Sequence, residues 1–138
     1  MTLSIQHFQE FFADVHGRTP FAWQVALAER VLSGVWPEVI DLPTAAGKTA
    51  SIDVAIFALA AAAVAKKPAP RRVFFVVDRR VVVDEAYDRA RRIAAALEEP
   101  KSPIVTRVRD ALASLGGEWP LRVSRLRGGV APDDAWAR

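Results

Sequence analysis

Apolar residues recur at three- and four-residue spacing through Ile5, Phe8, Phe11, Phe12 and Val15, which predicts an amphipathic helix capped by Ser4 and closed at Gly17. Pro20 opens a second helix of the same period, through Trp23, Leu27 and Val31 to Gly34. The β-branched run Val39-Ile40-Asp41-Leu42 then predicts a first strand, and the almost wholly apolar, alanine-rich stretch 52–65 predicts a buried helix. Beyond the connector Lys66-Lys67-Pro68-Ala69-Pro70-Arg71-Arg72, the run from Val73 to Val77 is dense enough for a strand buried on both faces. A helix over about 81–97 follows. It carries Asp84, Glu85 and Asp88 early and Arg89, Arg91 and Arg92 late, an order that suits the helix dipole and allows a Glu85–Arg89 pair on a solvated face. Ser102 and Pro103 are the cap and first-turn residues of another helix ending at Gly116. Leu121, Val123 and Leu126 alternate loosely enough for a third strand. Strands alternating with helices predict an α/β fold with a parallel sheet, preceded by two N-terminal helices.

Composition narrows the class without changing this layout. The chain has 138 residues, 51% hydrophobic and 25% charged, enough apolar material for one core and room for one domain. It lacks cysteine, which excludes disulfides and thiolate metal sites, and its two histidines, His7 and His16, stand too far apart for a zinc motif. The net charge is +3, and 15 of the 19 basic residues are arginine, the side chain suited to bidentate phosphate contacts, which favours an anionic partner. The N-terminus, with Gln6, Glu10 and Asp14 among its apolar residues, does not read as a signal peptide. The 52–65 run is too short for a bilayer, which needs about 20 apolar residues. A cytoplasmic location without membrane contact is the default expectation.

The most informative segment is Leu42-Pro43-Thr44-Ala45-Ala46-Gly47-Lys48-Thr49, placed between a predicted strand and a predicted helix. That context is what a phosphate-cradling loop requires. Small residues from Thr44 through Ala45 and Ala46 to Gly47 let the backbone wrap closely around an anion, and the following helix presents the positive end of its dipole. Lys48 would meet the β and γ phosphates of ATP, and Thr49 would offer its hydroxyl to Mg²⁺. The general pattern has glycine where this chain has Leu42, and often where it has Ala45.

Two neighbouring segments extend the picture. In Thr19-Pro20-Phe21-Ala22-Trp23-Gln24, the Gln24 carboxamide has one donor and one acceptor in the geometry of adenine N6 and N7, and Phe21 could stack on the base. Equally, Phe21 and Trp23 read as core residues and Gln24 as a surface one. The run 73–77 ends in Asp78, a position that fits a magnesium carboxylate but is followed at once by Arg79 and Arg80. At the carboxyl edge of the predicted parallel sheet and the entrance to a helix, the arginines read better as contacts to a nucleic-acid backbone, with solvated surface arginines as the alternative. Arg127, Gly128 and Gly129 form a further candidate contact, or a plain turn.

Taken together these motifs resemble the superfamily 2 helicases, and within them the CRISPR-associated helicase-nuclease of type I systems, subtype U or G. The resemblance runs from about Phe12 to Arg138. It rests on Pro20-Phe21-Ala22-Trp23-Gln24 as an adenine-recognising motif, Leu42 to Thr49 as motif I, Phe75-Val76-Val77-Asp78-Arg79-Arg80 through Ala86 as motif Ia, and Arg127-Gly128-Gly129 before the next motif. It implies a P-loop NTPase fold, the N-terminal part of a first RecA-like domain, with ATP and Mg²⁺ as cofactors. Single-stranded DNA and an RNA-guided CRISPR surveillance complex would be its partners, and an intact motor would unwind and degrade target DNA.

Such a motor also needs an Asp-Glu pair on a later strand and arginines from a second motor domain. Asp133 and Asp134, between Pro132 and Ala135-Trp136, lack the apolar run that would place them on such a strand. The expectation is therefore a partial domain, truncated before motif II, that binds nucleotide without hydrolysing it. Another superfamily 2 translocase, a nucleotide kinase and a non-enzymatic nucleic-acid adaptor remain as alternative readings.

Overall fold

A computed structural model describes residues 2–40, 47–77 and 79–126. Among them the chain forms five α-helices, α1 (Ile5–His16), α2 (Ala22–Leu32), α3 (Ser51–Val64), α4 (Arg80–Glu98) and α5 (Pro103–Ala113), and a short 3-10 turn, Lys48–Ala50, that leads into α3. Each helix follows the sequence pattern closely. The Ser4 backbone N–H is accepted by His7 Nδ1 at 2.9 Å, and Gly17 ends α1 in the left-handed conformation at φ 73°. At the head of α5 the Ser102 hydroxyl accepts from the Val105 amide at 3.3 Å, with Pro103 in the first turn.

α3 is the centre. Apolar on nearly every side, it packs against α1, α2, α4 and α5, as a helix without a polar face must. Phe57 from α3 meets Phe8 edge-on at 5.5 Å and Phe11 at 5.9 Å between ring centroids, and Phe8 also meets Phe12 at 6.0 Å. All four rings are buried.

The expected α/β fold, a P-loop NTPase with a partial RecA-like parallel sheet, is corrected here: the described residues contain no strand and no sheet. Residues 73–77 and 121–126 carry no regular secondary structure, and among the described residues neither makes a backbone hydrogen bond to a neighbour. Val76 is 86% exposed, where a central strand would bury it. Of the first predicted strand, Val39 and Ile40 are exposed and outside any ladder, while Asp41 and Leu42 lie outside the described residues. β propensity records fit to a pleated, partly buried surface and needs a neighbouring strand to act on. Here α1, α2, α4 and α5 cover α3 instead, so the apolar helix faces close a core without a sheet.

Candidate nucleotide site

Between α1 and α2 the chain turns so that Phe21 caps α2 and Gln24 occupies its third position. Gln24 Oε1 accepts from the Phe21 backbone N–H at 2.8 Å, the reciprocal bond of a capping box. Its Nε2 donates to the Gly47 carbonyl at 3.3 Å, across 23 positions of sequence. Gln24 is fully buried, so the carboxamide expected to read adenine is engaged at both ends within the protein and fastens the start of α2 to the glycine turn. Phe21 stays about half exposed. The Arg18 guanidinium lies over its ring at 5.0 Å and over the Phe12 ring at 5.4 Å.

Gly47 adopts φ 74°, and a Cβ there would stand 3.1 Å from Gln24 Nε2 and 3.5 Å from Phe21 Cε2. Both the dihedral and the close approach call for glycine. Lys48 follows with its side chain exposed, Thr49 is half-buried, and the turn runs directly into α3. Amides at the head of such a run have no acceptor within the helix, so they point at whatever lies before it. Phe21, Gln24, Gly47, Lys48 and Thr49 are thus brought to one place, while Thr44, Ala45 and Ala46 lie outside the described residues.

Arg79 and Arg80 stand exposed at the head of α4. Neither has a carboxylate within ion-pair distance among the described residues, and cations at a helix N-terminus gain nothing from the dipole. α4 packs against the Lys48–Ala50 turn as well as α3, which joins the arginine-bearing helix to the glycine turn. Asp78, Arg127, Gly128 and Gly129 lie outside the described residues, as do Asp133 and Asp134. The described residues hold no group of three or more His, Asp or Glu side chains able to bind a metal.

The sequence reading missed one polar cluster. Asp53, fully buried in α3, meets His16 Nε2 of α1 through Oδ1 and Arg89 Nε of α4 through Oδ2, each at 2.5 Å. Arg89 also lies over the Phe12 ring at 5.3 Å and is therefore turned inward, not toward the expected partner Glu85, which is exposed. The signal was present in the sequence: one carboxylate inside an apolar helix cannot be buried alone, so it demands a partner from another element.

No protein-family model, no curated protein and no solved structure matches the chain. Among the described residues no helix is long and apolar enough to cross a membrane.

Proposed function

We propose that the chain binds magnesium–ATP at the turn from Gly47 to Thr49 and serves as the nucleotide-binding part of an ATP-dependent DNA helicase or translocase. One observation carries the reading: two segments with separate nucleotide-binding signatures, Phe21 to Gln24 and Gly47 to Thr49, meet through the Gln24–Gly47 hydrogen bond. In this reading the exposed face of Phe21 stacks on the base, and Gln24 holds that ring beside the turn from beneath. The glycine and helix-head amides face the phosphates, and Lys48 pairs with the terminal ones. Mg²⁺, held by the Thr49 hydroxyl and phosphate oxygens, would neutralise charge on the polyphosphate. Arg79 and Arg80, exposed and without a carboxylate in ion-pair distance among the described residues, support single-stranded DNA as the second ligand. The resemblance of the Asp78-Arg79-Arg80 segment to motif Ia supports recruitment by an RNA-guided CRISPR complex.

Titration with a fluorescent ATP analogue tests this. Removing the cation with Lys48→Ala is expected to weaken binding about 10- to 100-fold, the range for a lost charged hydrogen bond of about 1.5–3 kcal/mol. Equal affinity in the variant would withdraw the assignment. Single-stranded DNA binding that falls steeply with salt yet ignores both ATP and Lys48 would favour the adaptor reading, and phosphoryl transfer to nucleoside monophosphates the kinase.

A further inference from the structure

Independently of the nucleotide site, we propose that the groove between residues 73–77 and 121–126 binds an extended segment of a partner protein, apolar at alternate positions and acidic at its ends. The groove has a volume of about 850 Å³, inside the range of about 300–1,000 Å³ typical of ligand sites. Its floor is apolar, formed by Ile52, Ile56 and Leu59 of α3 and Ala86, Tyr87 and Ala90 of α4. Its two walls are residues 71–77 and 117–126. Val73, Phe74 and Val76 project from one wall at 53%, 62% and 86% exposure. Among the described residues the backbone amides and carbonyls of 73–77 and 121–126 have no backbone partner, and beside an apolar floor an added strand satisfies such groups, whereas a docked helix has its own backbone already bonded and would leave them open. Ser124 Oγ and Arg125 Nε, on the other wall, are buried without a partner among the described residues.

Charge selects the occupant. Among the described residues that line the groove, Arg71, Arg72, Arg122 and Arg125 face the single carboxylate Glu118. Arg125 is held by Asp84 at 3.3 Å and lies over the Tyr87 ring at 4.5 Å, and Arg122 reaches Glu118 only at 3.8 Å. Arg72 has no carboxylate within ion-pair distance among the described residues. A positive rim therefore remains. A second copy of this chain is a poor occupant, because its own wall segments are flanked by Arg71, Arg72, Arg79 and Arg80 or interrupted by Arg122 and Arg125, which brings like charges together. An oligonucleotide would satisfy the rim but not the apolar floor.

Fluorescence anisotropy on the full chain tests the proposal with a short labelled peptide carrying valine at alternate positions and aspartates at both ends. Two controls accompany it, one ending in lysines and one with proline in place of the valines, together with labelled oligothymidylate. The acidic peptide is expected to bind at least about tenfold more tightly than either control, the equivalent of about 1.4 kcal/mol. The double variant Arg72→Glu, Arg122→Glu should reverse the preference toward the lysine-ended peptide while its circular dichroism keeps the helical signal. Three results would overturn the proposal: equal binding of all peptides, tighter binding of oligothymidylate than of the acidic peptide, or concentration-dependent dimerisation abolished by Val76→Asp.

Discussion

Replacing Arg89 with methionine is expected to cost about 3–5 kcal/mol of stability, because it leaves the fully buried Asp53 carboxylate with His16 alone. Methionine keeps the apolar stem, so the loss reports the guanidinium, through both its ion pair with Asp53 and its place over the Phe12 ring. That cost is a large share of the roughly 5–15 kcal/mol that separates a folded domain from its unfolded chain, and partial unfolding at 37 °C would be its visible form. Urea denaturation followed by circular dichroism measures it. Exchanging all three members, His16→Phe, Asp53→Leu and Arg89→Met, should recover most of the loss, since a buried ionic group replaced whole by apolar residues of similar size is often neutral or better. A single-variant loss below about 1 kcal/mol would mean that the pair behaves as a solvated surface bridge, contrary to its burial.

Phe57→Ala is expected to lower stability by a similar amount, about 3–5 kcal/mol, the usual cost of a large aromatic removed from a packed core. Phe57 is buried at the middle of α3 and touches rings from α1, so its loss opens a cavity where helices converge. Val76→Ala makes the contrast informative. At 86% exposure that residue should change stability by no more than about 0.5 kcal/mol, whereas a Val76 at the centre of a parallel sheet would cost several times more. The two variants together therefore distinguish the helical core from the sheet that the sequence pattern predicts.

The helices were legible because their signals are local. Ser4 and Gly17 bracket α1, Ser102 and Pro103 open α5, and the three-four spacing of Phe8, Phe11, Phe12 and Val15 needs nothing from the rest of the chain. The absence of a sheet among the described residues was not, because a strand is defined by its neighbour. The run 73–77 and the alternation at 121–126 specify an extended backbone, and their pairing depends on contacts that five-residue patterns do not encode. The same limit hid the buried cluster. Asp53 was visible as a flaw in an apolar stretch, but its partners His16 and Arg89 stand 37 and 36 positions away, on helices that spacing alone does not orient. In the candidate site, the tie between Gln24 and Gly47 joins two segments read separately, and it turns the expected base-reading amide into a support.

Backbone and aromatic NMR shifts recorded during titration with magnesium–ATP test whether the proposed site, the Gly47 to Thr49 turn for the phosphates and Phe21 for the base, is where a nucleotide binds. The Gly47, Lys48 and Thr49 amides and the Phe21 ring protons are expected to shift first and saturate together, with the groove beside Val76 unchanged. Saturation elsewhere on the chain while those four residues stay silent, or no saturable shift at all, would contradict it.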